Sequence, residues 1–291
     1  MKSFPRIAMI GFGEASRAFV AGWGEKGAGR IAAHDIKAAD PLEAPAMEEA
    51  AGALALACHA EPAPALAEAQ VAFCLVTADQ ALVAAKTAAP HLPPGLLWLD
   101  GNSCAPGTKR AAAKVVEEAG GRYVDMAIMA PVHPRLHRTP ALLAGPHAGE
   151  AIAALGPLDM DLRAAGDKVG DASSIKMLRS VMVKGIEALT AECILAARRA
   201  GVEGAVLASL QSSDPGIDWQ KRSAYNLERM MVHGARRAAE MREVAATLRE
   251  LGLPDRMAAA TALWQEELAA LALDPGPDEA GERADRILAG L

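Results

Sequence analysis

Arg6-Ile7-Ala8-Met9-Ile10-Gly11-Phe12-Gly13-Glu14-Ala15-Ser16 is the stretch whose reading decides the fold. A short apolar run stops at a glycine, a second glycine follows two residues later, and Arg17-Ala18-Phe19-Val20-Ala21-Gly22-Trp23 then spaces its apolar residues as a helix does. Strand, glycine turn and helix therefore come in order. The next apolar run, Arg30 to His34, ends in Asp35, 22 residues after Gly13, which completes a βαβ unit of the length a dinucleotide-binding fingerprint requires. Gly11 permits the tight turn, Gly13 lets the backbone approach a diphosphate, and the helix start aims N–H groups at it. Ser16 stands where a third glycine is usual, a position that needs a small residue. Glu14 beside a diphosphate is expected to face solvent.

The pattern then repeats. Gln70 to Val76 reads as a buried strand, Asp79 to Ala89 as a helix, Pro93-Pro94-Gly95 as a turn and Leu96 to Asp100 as another strand. After a helix near Pro106 to Ala119, further short strands are expected at Tyr123 to Met129, Ala141 to Gly145 and, more weakly, Asp161 to Ala165. Beyond Gly170 strand signals stop, and Ser173 to Ala200, Ala224 to Leu251 and Arg256 to Leu271 show helical periodicity. The fold class is α/β: a Rossmann-type, doubly wound parallel sheet over residues 1–168, then an all-α C-terminal domain over residues 169–291.

Composition narrows the partners. The 291 residues are 52% hydrophobic and 23% charged, with a net charge of -6 and only four Trp, two Tyr and four Phe, so no basic face with stacking rings is available for nucleic acid. No apolar run approaches the roughly 18 residues that cross a bilayer. Met1-Lys2-Ser3 leads straight into the first strand without the apolar segment of a leader, and cytoplasmic residence is the default. Cys58, Cys74, Cys104 and Cys193 form no C-x-x-C pair and read as reduced, mostly buried thiols.

Two further stretches carry chemistry. Leu99-Asp100-Gly101-Asn102-Ser103-Cys104-Ala105-Pro106 follows a strand, and Gly170-Asp171-Ala172-Ser173-Ser174-Ile175-Lys176-Met177-Leu178-Arg179-Ser180 opens the helical half, with Ser173, Lys176, Ser180 and Lys184 near one helix face. Together with the glycine turn they resemble the β-hydroxyacid dehydrogenase superfamily, which includes 6-phosphogluconate and 3-hydroxyisobutyrate dehydrogenases. The first is similar to the family's D-x-S-T-x-x-P segment and the second to its glycine-rich turn and catalytic lysine. The helical half, with His233-Gly234-Ala235-Arg236-Arg237-Ala238-Ala239-Glu240, looks like an uncharacterised bacterial branch.

The resemblance implies an NAD(P)-dependent oxidoreductase acting between nicotinamide and the hydroxyl or carbonyl carbon of a small, hydroxyacid-like substrate in a cleft between the domains. Lys176 would be the acid or base, since a lysine partly desolvated in a cleft can exchange protons near neutral pH. Ser103, Asn102, Ser180, Arg179, His133 and Arg135 are the substrate-binding candidates. Gly11, Phe12, Gly13, Glu14, Ala15, Asp35, Val76, Thr77 and Asn102 form the cofactor-binding set. The carboxylate of Asp35 would accept from both ribose hydroxyls and repel a 2'-phosphate, which favours NAD, with NADP the alternative through Lys37. Homodimerisation through the helical domain is also implied.

Departures are as informative as matches. Ser180 replaces the asparagine usual four residues after the lysine. Asp125-Met126-Ala127-Ile128-Met129-Ala130-Pro131 replaces D-x-P-x-S-G-G, so the serine is lost and Pro131 has no N–H. Ala239-Glu240 replaces a lysine-aspartate pair. His133-Pro134-Arg135-Leu136-His137-Arg138 and Arg179 could replace the lost donors, whereas the prolines argue against a helix that would align His133 and His137 on zinc, and no metal is expected. An imine reductase of the same fold is the nearest rival, although such relatives commonly lack the lysine. A non-catalytic dinucleotide sensor is the reading from another class, and a methyltransferase would leave Lys176 unexplained.

Overall fold

The computed structural model describes residues 4–291; the leading Met1-Lys2-Ser3 lies outside the described residues. The chain divides into two compact units, one ending at Lys176 and the other comprising Met177–Leu291. Their boundary falls inside a long helix, α7 (Asp171–Arg199), eight residues beyond the division between residues 168 and 169 expected from the sequence.

The first unit is built on eight strands: β1 (Ile7–Ile10), β2 (Ile31–His34), β3 (Ala57–His59), β4 (Val71–Cys74), β5 (Leu97–Asp100), β6 (Arg122–Ile128), β7 (Ala141–Ala144) and β8 (Leu162–Gly166). They lie in the order β3-β2-β1-β4-β5-β6-β7-β8. The sheet reverses its winding between β1 and β4, the position at whose carboxyl edge ligands of open α/β sheets bind. Alternation along each strand sorts side chains to two cores. Ile7, Met9, Phe73, Leu97 and Leu99 meet Phe19 and Trp23 of α1 (Glu14–Trp23) on one face. Ala8, Ile10, Ala72, Cys74 and Trp98 meet α3 (Pro62–Leu66), α4 (Ala81–Ala88) and α5 (Pro106–Glu118) on the other. A further helix, α2 (Ala44–Ala53), stands beside β3.

The sheet departs from the expected all-parallel arrangement at one pair. β7 runs antiparallel to β6, with Ile128 opposite Ala141. The segment joining them holds no α-helix, so the chain turns back beside β6 instead of crossing over to a parallel position. Crossing through α6 (Ala148–Leu155) then sets β8 parallel to β7. The short β3 was not anticipated from the sequence.

The second unit is all helical. Besides α7 it contains α8 (Glu203–Ser213), α9 (Trp219–Glu250), α10 (Arg256–Ala270) and α11 (Ala280–Gly290). Ile194, Leu195, Leu227, Met230, Leu268 and Ile287 form one core, and Met177, Met241, Val244, Ala258 and Ala262 a second. At Gly234 a Cβ would lie 2.3 Å from the Gln265 carbonyl oxygen, so α9 and α10 touch backbone to backbone there. Among the described residues no helix is long and apolar enough to cross a membrane. All four cysteines are free thiols; Cys74 and Cys104 are buried, while Cys193 is exposed, contrary to the mostly buried set expected.

A polar stripe of α7 faces α9 and α10 inside this unit. Arg237 reaches both oxygens of Glu187 at 2.7 and 2.5 Å, and Gln265 donates to the same carboxylate at 3.0 Å. Burial pushes Glu187 up and Arg237 down, so on both partners desolvation outweighs their attraction. Arg237→Met should therefore lower stability by about 3–5 kcal/mol, as expected when a buried carboxylate is stranded, whereas Glu187→Leu/Arg237→Met should recover most of that loss. Chemical denaturation of the two variants measures both numbers.

Candidate active site

The glycine turn closes under two constraints. Gly11 has φ +87°, and a Cβ there would lie 2.5 Å from the Leu75 carbonyl oxygen and 2.7 Å from Val76 Cγ1, so only glycine lets the turn pass beside the end of β4. At Gly13 a Cβ would meet nothing within 4 Å, and the surface above it is open. Ser16 is fully buried and its Oγ donates to the Gly11 carbonyl oxygen at 2.5 Å, which explains how a hydroxyl is accommodated at the third position. Glu14 is exposed at the start of α1.

Asp35 ends β2 and clasps the turn. Its Oδ2 accepts from the Phe12 N–H at 2.8 Å and its Oδ1 from the Lys37 N–H at 3.0 Å. Lys37 Nζ lies 2.9 and 3.1 Å from the two oxygens of Glu43, which hold its ammonium above the ordinary lysine range. Arg17 donates to the Phe12 carbonyl oxygen at 2.9 Å, with its guanidinium 5.3 Å above the Phe12 ring. An open backbone at Gly13 and the first-turn amides of α1 as donors, with the Asp35 carboxylate after β2 as acceptor, make a set that fits a dinucleotide. Among the described residues no group of three or more His, Cys, Asp or Glu side chains gathers as a metal would require.

Next to this turn, the end of β5 and the middle of β6 carry two carboxylates in register, Asp100 opposite Asp125. Both are buried, as is Lys109 from α5, whose Nζ lies 2.9 Å from Asp100 Oδ1 and 3.5 Å from Asp125 Oδ1 and also donates to the Asp100 carbonyl. Burial alone would lower the Lys109 pKa, but Asp100, Cys104 and Asp125 outweigh it and the net shift is upward, so the ammonium is retained. Tyr123 donates to Asp100 Oδ2 at 2.7 Å, and burial with that carboxylate pushes its phenol well above its usual range.

Each carboxylate organises a neighbour. Asp100 Oδ1 accepts the Asn102 N–H at 3.0 Å and its side-chain amide at 2.7 Å, while Asn102 Oδ1 accepts the Val76 N–H at 2.7 Å. Asn102 thus bridges the ends of β5 and β4 beside Val76 and Thr77. Asp125 Oδ2 accepts from the Gly170 and Ser173 amides at 3.1 and 3.0 Å and from Ser173 Oγ at 3.0 Å, capping the start of α7. One turn along α7 from that cap, Lys176 Nζ lies 2.7 Å from Ser103 Oγ, both groups half-buried. The sequence reading named Asn102, Ser103 and Lys176 and missed Asp100, Lys109, Tyr123 and Asp125. An acid closing one apolar strand and another inside the next were the signal that could have found them.

The other candidates have settings of their own. Ser180 is buried in the helical unit and accepts from Lys184 Nζ at 3.1 Å, and Lys184 pairs with Glu240 at 2.9 Å. Arg179 is exposed on α7. His133 and Arg135 are exposed on the segment between β6 and β7, whose next turn packs on α1, with the His137 ring against Trp23 and Arg138 paired with Asp159. Burial and Arg138 draw the His137 pKa below its ordinary value.

Comparison with known proteins places these features. Residues 197–268 match a family described as Domain of unknown function (DUF1932). A conserved hypothetical protein from Sinorhizobium meliloti 1021 is 38% identical, with 98% of this chain and 96% of that one covered and a TM-score of 0.77. The conserved protein MTH1747, of unknown function and with structural similarity to 3-hydroxyacid dehydrogenases, is 29% identical over 92% of this chain and 98% of its own, TM-score 0.69. The 3-hydroxyisobutyrate dehydrogenase of Mycobacterium tuberculosis shares the fold at 17% identity, 97% and 98% coverage and TM-score 0.71. An uncharacterized 28.5 kDa protein of Methanothermus fervidus is 26% identical over 148 residues, a match spanning 51% of this chain and little more than half, 56%, of that relative. With its Rossmann-type sheet, its glycine turn and full-length relatives of this kind, the chain belongs to the 3-hydroxyacid dehydrogenase-like, 6-phosphogluconate dehydrogenase-like superfamily, in a branch whose helical half carries DUF1932.

Proposed function

We propose that the chain is an NAD-dependent oxidoreductase that transfers a hydride between nicotinamide and the hydroxyl or carbonyl carbon of a small hydroxyacid-like substrate, with Lys176 as acid and base. The observation that carries this reading is the hydrogen bond between Lys176 Nζ and Ser103 Oγ, 2.7 Å long, beside the strand ends next to the glycine turn. A bound nicotinamide would supply the hydride acceptor or donor. Lys176 as an amine takes the proton of a substrate hydroxyl during oxidation, and as an ammonium returns it to a carbonyl oxygen during reduction. Ser103 accepts from Lys176, which leaves its own O–H to donate to a second substrate oxygen. Both Asp35 and the engagement of Lys37 by Glu43 favour NAD, since a 2'-phosphate would meet a carboxylate while the nearest lysine is already paired.

The partner we propose is a second copy of the chain. Leu178, Met182, Ile186 and Leu189 recur at helical spacing on α7 and are 41%, 64%, 41% and 62% exposed, a stripe of large apolar side chains that a second copy would cover.

Lys176→Ala should leave NAD affinity within about twofold and lower kcat by about 100-fold or more on whichever acid of a hydroxyacid panel the wild type oxidises. Near-normal turnover in the variant would remove Lys176 from the chemistry, and tight NAD binding with no turnover of any substrate would favour a dinucleotide sensor. Asp35→Ala should narrow the preference for NAD over NADP, chiefly by weakening NAD, as read by calorimetric titration of both cofactors. Tighter binding of NADP than NAD by the wild type would overturn the cofactor assignment. Sedimentation of Met182→Lys/Leu189→Lys should show monomer where the wild type sediments as a dimer.

A further inference from the structure

Lys109 is fully buried, yet no step of the proposed reaction uses it. Its surroundings are costly. Two carboxylates aligned across β5 and β6 would repel each other out of water, and a lone ammonium there would be poorly solvated. The three charges coexist because Lys109 hydrogen-bonds Asp100 and lies 3.5 Å from Asp125 Oδ1, which has no hydrogen-bond partner of its own among the described residues, while other donors hold Asp100 Oδ2 and Asp125 Oδ2.

What these acids hold is more telling than what they neutralise. Asp100 fixes Asn102 through its backbone and side-chain amides, and Ser103 is the next residue. Asp125 fixes the Gly170 and Ser173 amides, and Lys176 follows within one turn of the same helix. From one ammonium, a hydrogen bond to Asp100 and a 3.5 Å ion pair to Asp125 lead to acids whose own hydrogen bonds end on Asn102, one residue before Ser103, and on Ser173, three before Lys176, whose side chains meet at 2.7 Å. A helix start and a strand-end loop, 73 residues apart in sequence, are thus held to a common post.

We propose that Lys109 is a positioning residue that sets the Ser103–Lys176 pairing by anchoring Asp100 and Asp125. It acts through the two acids, bonding the Asp100 carboxylate and backbone carbonyl and pairing with the Asp125 carboxylate. Loss of the ammonium lets the loop and the helix start move independently, and proton transfer needs its groups within hydrogen-bond reach at the moment of reaction. The catalytic part of this inference rests on the function proposed above, whereas the geometric part does not.

The test reads Lys176 directly. Lys109→Met strands two carboxylates and can unfold the unit, so it is paired with Lys109→Met/Asp125→Asn, which keeps the formal charge of the buried cluster at the wild-type value. Acetic anhydride labelling of the full chain, quantified by mass spectrometry against the exposed Lys114, reports how firmly the Lys176 ammonium is held without requiring turnover. We expect the double variant to fold, to label Lys176 at least fivefold faster than the wild type, to bind NAD within twofold and to lose at least tenfold in kcat with little change in KM. Lys109→Arg, which keeps the charge, should restore most of the slow labelling. Unchanged Lys176 labelling in the folded double variant overturns the proposal, as does failure of Lys109→Arg to slow labelling below that of the double variant. Absence of wild-type turnover on any hydroxyacid would count against the proposed function alone, with the labelling result still deciding the role of Lys109.

Discussion

Two acids side by side on neighbouring parallel strands are a constraint that most of the first unit answers to. β5 and β6 pair in register, so Asp100 and Asp125 project from the same face into an otherwise apolar interior that includes Trp98, Tyr123 and many alanines. Replacing such an ionic group by well-packed apolar side chains is often neutral or favourable, so its presence is better understood through what it orients than through what it adds to stability. Here it joins a strand end, a loop and the N-terminus of a long helix, and each connection ends on a defined oxygen or amide. The glycine turn is tied in as well, because Asn102 accepts from Val76, the residue whose side chain crowds Gly11.

Much of this could be read from the chain alone, and the residues show why. Gly11 was legible because its roles, a positive φ and a close approach to the next strand, both demand glycine. β1, β4 and β5 were legible because each is four consecutive buried residues bounded by turn residues. β3 escaped because it is only one exposed and two half-buried residues at the sheet edge, within an alanine-rich stretch. The direction of β7 escaped for another reason: strand sequence is indifferent to orientation, and only the lack of a crossover helix after β6 reverses it. Lys109 is one of two adjacent basic residues in a helix that reads as solvated, and its burial is decided by acids that arrive from strands on either side of it in sequence.

The helical unit applies the same physics with less economy. α7 presents Ser180, Lys184, Glu187 and Thr190 to its own neighbours, so the face that periodicity would assign to the core is polar. Lys184 and Arg236 share Glu240, while Arg237 and Gln265 share Glu187. High alanine content made the helices easy to recognise and their faces hard to orient, because alanine is as content in contact as in water. Gly234 and Gln265 supply what alanine cannot, a point at which the helix axes have one permitted separation.

The hydrogen bond from Phe12 to Asp35 has a consequence for engineering. The carboxylate after β2 is also the acceptor for a backbone N–H of the glycine turn, so the proposed sensor of the ribose and the proposed floor of the phosphate site form one mechanical piece. Exchanging Asp35 for a small neutral residue, the obvious way to admit a phosphorylated ribose, also removes the clasp that holds the turn against β2. A redesign of cofactor choice in this scaffold therefore has to supply a new acceptor for that amide together with the new cation, and changes at position 35 alone will trade selectivity against the order of the turn.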